Sequence, residues 1–195
     1  MATRKSASTK TPDSVYVLRI DLAHLKPAVW RRLEVPAGIT LARLHQAIQM
    51  AFDWTDSHLH GFEIDGALYG PRNPDPFGFG VEEQDERNFR LADVAGMGSR
   101  FTYTYDFGDD WTHLVKVEKV VPPTPGVRYP RCTAGKNATP PEDCGGPWGY
   151  AEMMQALADP DHPERENYVE WLGEDFEAKA FDIEELNAGL ARLKT

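Results

Sequence analysis

The chain has only two cysteines, Cys132 and Cys144, among its 195 residues. Two are too few for a disulfide scaffold, and both lie in one Gly/Pro-rich loop, so a reduced, cytoplasmic setting is expected. The Asn137-Ala138-Thr139 sequon is irrelevant there. No stretch approaches the roughly 18 unbroken apolar residues of a membrane helix, so no membrane partner is expected. The opening MATRKSASTKTPDS is basic and hydroxyl-rich but lacks an apolar h-region, so it does not read as a secretory signal. It reads instead as a disordered tail over residues 1–13, followed by a single domain over 14–195.

Basic surplus is missing as well. Net charge is −10, from 31 acidic against 21 basic residues. A duplex binder displaces phosphate counterions with Lys and Arg. This balance argues against nucleic acid over a large surface. The basic spots are small: Arg4, Lys5 and Lys10 in the tail, and Arg31 with Arg32 in a strand. Walker A, G-x-G-x-x-G, H-E-x-x-H and G-x-S-x-G motifs are all absent. Asp159-Pro160-Asp161 begins like a calcium loop but lacks the required glycine. No serine sits in a nucleophile context, which leaves the question of enzyme or non-enzyme open.

What is present is an ordinary globular composition, 41% hydrophobic and 27% charged. Val15 to Leu22 alternates, with Tyr16, Leu18, Ile20 and Leu22 on one face, and predicts a strand. Val29 to Val35 predicts a second, with Val29, Arg31, Leu33 and Val35 opposite Trp30, Arg32 and Glu34. Thr40 then caps a helix in which Leu41, Leu44, Ile48 and Phe52 recur at helical spacing. His58–Ile64 and Ala67–Tyr69 predict a hairpin around Asp65-Gly66. Residues 71–88 are rich in proline, glycine and acids, and read as a disordered segment or a lid. Phe101 to Phe107 places Phe101, Tyr103, Tyr105 and Phe107 on one face, and Trp111–Val121 is its hairpin partner. After an irregular loop over Tyr129–Gly149 come three helical stretches, Tyr150–Leu157, Pro163–Leu172 and Asp182–Leu193. Pro163 reads as the first helical residue of the second stretch and Asp182 as the cap of the third. Strands first and helices last give an α+β domain: a mainly antiparallel sheet, one early helix, and a C-terminal helical segment packed on it.

Three constellations could carry chemistry. Asp106, Asp109, Asp110, Trp111 and His113 cluster at a strand-turn-strand junction, where carboxylates and an imidazole suit a metal or acid–base work. The same residues also make ordinary turn caps, and His113 alternates with Val115 and Val117 as a core residue would. His58 and His60, two apart in a strand, share a face and could reach one ion, or simply flank a turn at the surface. Cys132 and Cys144 have eleven residues between them, which is not a zinc-knuckle spacing. They read as a buried pair, a loop disulfide or two unrelated thiols. Between them, Pro140-Pro141 stiffen a loop that carries Glu142 and Asp143 toward Gly145-Gly146, an irregular turn of the kind that shapes sites.

Several of these segments together resemble one family. Val15–Ile20, Trp30-Arg31-Arg32 with Leu44-His45, the TYDFGDDWTH run, and Cys132 through PPEDCGG to Gly149-Tyr150 resemble the plasmid open-reading-frame-three family, named from a root-inducing (pRi) plasmid. Its motifs YDFGDxWxH and PPEDCGGxxGY stand here intact. The resemblance implies an α+β domain without a defined reaction. The family also carries a TnpR-like label that suggests mobile-element work. A serine resolvase needs a nucleophilic serine backed by arginines and a basic DNA-binding domain, and neither is found here.

The leading expectation is therefore an accessory or binding protein of a plasmid- and mobile-element-associated family. It would engage a protein or small ligand through the GDDW and PPEDCGG loops. One alternative is a metal-dependent hydrolase or nuclease drawing on Asp106, Asp109, Asp110, His113, His58, His60, Glu142 and Asp143. A divalent metal is then the cofactor, with His58, His60, His113, Cys132 and Cys144 as candidate ligands. Another alternative is a DNA-binding accessory protein of an insertion element, using the tail with Arg31 and Arg32.

Overall fold

The computed structural model describes residues 13–72, 83–173 and 176–193. The expected tail, apart from residue 13, and the middle of the acidic loop at 73–82 lie outside them. In chain order the elements are β1 (Val15–Leu22), β2 (Trp30–Pro36), α1 (Leu41–Ala51), β3 (His60–Ile64), β4 (Ala67–Gly70) and β5 (Gln84–Asp85). A 3-10 turn (Glu86–Asn88) and α2 (Leu91–Val94) follow, then β6 (Arg100–Tyr105), β7 (Trp111–Val121) and β8 (Arg131–Lys136). The chain continues through α3 (Gly146–Ala158), α4 (Arg165–Leu172) and α5 (Ile183–Leu190). One eight-stranded sheet has the order β5-β4-β3-β6-β7-β1-β2-β8, antiparallel throughout except for the short β4–β5 pair. This is an α+β fold. Among the described residues no helix is long and apolar enough to cross a membrane.

Alternation in the sequence becomes burial in the sheet. Tyr16, Leu18, Ile20 and Leu22 of β1, and Leu33 and Val35 of β2, are buried on the same face. Helix α1 lies against that face. Leu41, Leu44, Ile48 and Phe52 are all fully buried, and the Thr40 hydroxyl accepts the Arg43 amide at the helix start. The β3–β4 turn has Asp65 and Gly66 both left-handed, the backbone that a two-residue hairpin requires.

Arg31 sits on the buried face rather than at the surface. Its guanidinium donates to the Ala51 carbonyl (2.9 Å) at the end of α1, to the Trp30 and Lys136 carbonyls, and to the Thr139 hydroxyl. Burial lowers its pKa to about 10, which still leaves it charged at neutral pH. A cation at the C-terminal end of a helix is favourably placed, so Arg31 holds α1 onto β2 and β8. Arg32 points the other way and pairs with Glu118 at 2.8 Å.

The structure corrects the sequence reading at several elements. Strand β8 runs through the segment expected to be an irregular loop, and it pairs with β2 across a bulge at Arg32/Leu33. Its free edge is met by α5: Asn187 accepts the Cys132 amide (2.7 Å) and donates to the Cys132 carbonyl (2.9 Å). Phe107 is 59% exposed, not on the core face. Asp106 turns left-handed at φ 55°, and the alternation stops one residue before Phe107. Helix α3 begins at Gly146 rather than Tyr150, and α4 begins after Glu164 rather than at Pro163. Asp182 caps α5 as expected, accepting from the Glu184 and Glu185 amides.

Candidate functional site

Three loops meet at one end of the β3-β6-β7 strands. The first, residues 52–59, leaves α1 with Asp53 and Asp56 in left-handed conformations. The second is the β6–β7 turn at 106–110. Asp106 there accepts the Gly108 amide (2.9 Å), and Asp110 is left-handed. The third is the 137–146 loop, with Asn137, Asp143, Gly145 and Gly146 all at positive φ. Asn and Asp tolerate this backbone because their short polar side chains bond locally.

Specific contacts lock the three together. Asp109 accepts the Gly145 amide at 3.1 Å. At Gly146 a Cβ would overlap the Asp109 carbonyl oxygen, so only glycine allows this approach. The Trp54 indole donates to the Pro140 carbonyl (3.0 Å). Glu142 accepts the Thr55 hydroxyl (2.5 Å), the Thr55 amide (3.3 Å) and the Tyr105 hydroxyl. Tyr105 also accepts the Ser57 amide. Burial, then the neighbouring Glu142 carboxylate, raises the Tyr105 pKa above its usual value, so the phenol stays a donor.

At the meeting point stand His58, Asp106 and Asp143. His58 Nε2 is 3.0 Å from Asp143 Oδ1 and 3.7 Å from Asp106 Oδ2. That nitrogen is shielded from solvent, yet it makes no hydrogen bond. The Asp143 oxygen is near enough but lies off the axis along which a ring nitrogen bonds. Among the described residues Ser14 Oγ, Trp111 Nε1, His113 Nε2 and Arg165 Nε share that condition; His58 differs in standing beside two carboxylates. Leu59 (57% exposed) and Phe107 (59%) follow His58 and Asp106 directly, Trp148 (82%) lies in the first turn of α3, and all three are left in solvent. An open cleft of about 810 Å³ lies beside the cluster, sharing Trp54, Pro140 and Glu142 as lining and reaching Arg31, Phe181 and Leu186.

A second cluster is deeper. The His45 and His60 rings stack with centroids 3.4 Å apart and planes within 2°. His45 Nε2 is 2.9 Å from Asp56, His60 Nε2 is 3.0 Å from Glu86, and His45 Nδ1 is 2.8 Å from the Tyr103 hydroxyl. Gln49 donates to that hydroxyl (3.0 Å), which leaves its proton for His45. Burial, then the neighbouring His60, lowers the His45 pKa to about 4, so His45 is neutral and donates to Asp56. Gln49 also accepts the Asp56 amide. The cluster therefore fixes the loop that carries His58.

Of the residues singled out from sequence, Asp106, Asp109, Glu142, Asp143 and His58 come together. Asp110 stays within its turn, bonded to the Thr112 hydroxyl. Trp111 is 1% exposed and belongs to the core. His113 is fully buried among Phe52, Trp54 and Tyr103, which pushes its pKa down to about 3. It does not join the carboxylates of the turn. His58 and His60 do not converge, because β3 begins only at His60 and each joins a different cluster. The two cysteines are both free. The Cys132 thiol donates to Ala134 on β8, and burial with Asp109 nearby pushes Cys144 up to about 12.

Sequence reasoning missed His45, Asp56, Glu86 and Tyr103 as a group. One signal was present: His45 lies four residues after Leu41 and three before Ile48, on the apolar stripe of α1, where an imidazole must find partners.

A family model for plasmid pRiA4b ORF-3-like proteins matches residues 14–185. The chain is 39% identical over 177 residues to the uncharacterized protein y4hQ of Sinorhizobium fredii, covering 89% of each. The crystal structure of a protein of unknown function, MM3350 from Methanosarcina mazei Go1, aligns with a TM-score of 0.82 and 42% identity, over 90% of this chain and 98% of that one.

Proposed function

The chain belongs to the plasmid pRiA4b ORF-3-like family, and from its geometry we propose that it is a binding module acting through one composite site. The observation that carries this reading is the clamp between the two motif loops. Asp109 of the first bonds the Gly145 amide of the second, and Gly146 packs against the Asp109 backbone. Two motifs distant in sequence thus meet at His58, Asp106 and Asp143, and the segments that carry them also bear the exposed Leu59, Phe107 and Trp148. Exposed large apolar side chains beside fixed polar groups suit a protein partner better than bulk water. Covalent catalysis gains no support from the thiols, since both cysteines have raised pKa values and are held as thiols at neutral pH.

The DNA-binding reading loses its two strand arginines, Arg31 to carbonyls in the interior and Arg32 to Glu118. Hydrolysis remains a second reading, favoured by the mixed imidazole and carboxylate set at the centre. Two free cysteines suit a reducing cytoplasm. The test is a photo-crosslinking residue in place of Trp148, used in the cells that encode the protein. A discrete partner is expected, lost in Phe107→Ser and Leu59→Ser but kept in Trp171→Ser, a control at another exposed aromatic. Capture that is absent, or equal in all variants, overturns the proposal.

A further inference from the structure

We propose that the composite site binds a divalent cation through His58 Nε2, Asp106 Oδ2 and Asp143 Oδ1, an inference that rests on the composite-site reading above. The donor atoms lie within 4.8 Å of one another. Donors about 2.0–2.2 Å from one ion stand about 2.8–3.6 Å apart in octahedral or tetrahedral geometry. The two distances from His58 are 3.0 and 3.7 Å, so small side-chain rotations bring the three donors to one ion. The independent observation is the imidazole itself. Its Nε2 is shielded and unbonded, on a side chain that is 30% exposed, although a carboxylate oxygen stands 3.0 Å away. A neutral His–Asp pair would align for a hydrogen bond. Here no such bond is made, and an ion held between the nitrogen and the two carboxylates would receive the ring's lone pair.

The second cluster of potential ligands makes the contrast. The His45 and His60 rings are parallel and 3.4 Å apart. An ion must lie near the plane of each ligating ring, and two parallel planes that far apart share no such point. Each Nε2 there already faces a carboxylate at bonding distance. That cluster holds protons and positions the loop. The His58 centre is arranged to hold an ion.

One nitrogen and two carboxylate oxygens, without sulfur, match Mn²⁺, Fe²⁺ or Zn²⁺ better than Mg²⁺ or Cu⁺. Cys144 follows Asp143 directly, but its sulfur is not among the donor atoms that converge. Two aspartates neutralise the ion's charge. Three protein donors leave open positions, as in sites that bind a further ligand. Asp143, 72% exposed at its side chain, marks the open side. The partner group that fits there is an oxygen donor such as a carboxylate.

The test uses the full-length, tag-free protein after chelator treatment, titrated with Mn²⁺ by its free-ion spin resonance and with Zn²⁺ against a chromophoric chelator. One ion per chain is expected. Asp143→Asn and His58→Ala should each weaken binding at least tenfold, and Glu63→Gln, at an exposed position of β3, should leave it unchanged. Zinc should shift the imidazole nitrogen resonances of His58, not those of His45 or His60. Absence of binding below millimolar ion, equal affinity in Asp143→Asn, or a shift at His45 or His60 overturns the cation. Repeating the crosslinking with chelator separates the two proposals. A partner captured by a chain that binds no ion sinks the cation and leaves the binding module standing.

Discussion

Replacing Gly146 with alanine tests the clamp between the motif loops, and its neighbour Gly145 supplies the reference. Both are left-handed, at φ 67° and 85°. Alanine at either position meets the left-handed penalty of about 1–2 kcal/mol, partly offset by about 0.4–1 kcal/mol of lost unfolded-state freedom. At Gly145 the added Cβ has ordinary contact, 3.5 Å from Gly149 Cα, so the net loss should be about 1 kcal/mol. At Gly146 the Cβ would overlap the Asp109 carbonyl oxygen, and backbone cannot swing aside like a side chain. Overpacking of this kind adds about 1–3 kcal/mol. For a chain of this size each kcal/mol moves the melting midpoint by about 2–4 °C. Gly146→Ala should therefore melt about 2–12 °C below Gly145→Ala in calorimetry. Equal midpoints would show that the loops can separate at no cost, and the argument for one composite surface would fail.

Trp111→Ala should destabilise by about 3–5 kcal/mol in urea titration, because that ring is 1% exposed; Phe107→Ala should stay within about 0.5 kcal/mol, and a large loss there would put Phe107 back in the core. His113 sets a pH dependence. Its folded pKa is lowered to about 3 from about 6.5 when unfolded. The unfolded chain therefore takes the proton first, and the stability is complete above about pH 6.5 and lost as pH falls toward 3. Between pH 7 and pH 5 this histidine should remove about 2 kcal/mol of unfolding free energy. His113→Leu should flatten the curve by that amount, and an unchanged slope would refute the assignment.

The legible parts of the fold were those with a period. Helix α1 shows its stripe through Leu41, Leu44 and Ile48, and strands β1, β2, β6 and β7 show theirs by alternation, because each buries a single face. Strand β8 has no such pattern: in RCTAGK only Cys132 is buried, and the strand exists because β2 supplies its ladder. Asp106 ended β6 by a left-handed turn that alternation cannot announce, which misplaced Phe107. The site was half legible for a related reason. Both motif loops stood out by composition, but their meeting depends on Gly146 passing the Asp109 carbonyl, a tertiary contact. The His45–His60 stack joins α1 to β3, and no local pattern links the two.

The pairing of Asn187 with Cys132 has a consequence beyond holding a helix in place. A side-chain amide carries a carbonyl acceptor and N–H donors, the same kinds of group as a peptide unit, and here its oxygen and one N–H are given to the outward backbone of β8. Asn187 thus acts as a one-residue imitation of a ninth strand. An exposed strand edge is a template for pairing with another molecule, and this amide occupies the template near its start. Helix α5 is in this sense a guard against self-association: its detachment would unmask a row of unpaired backbone groups at the end of the sheet, and the first cost of losing it would be paid in solubility.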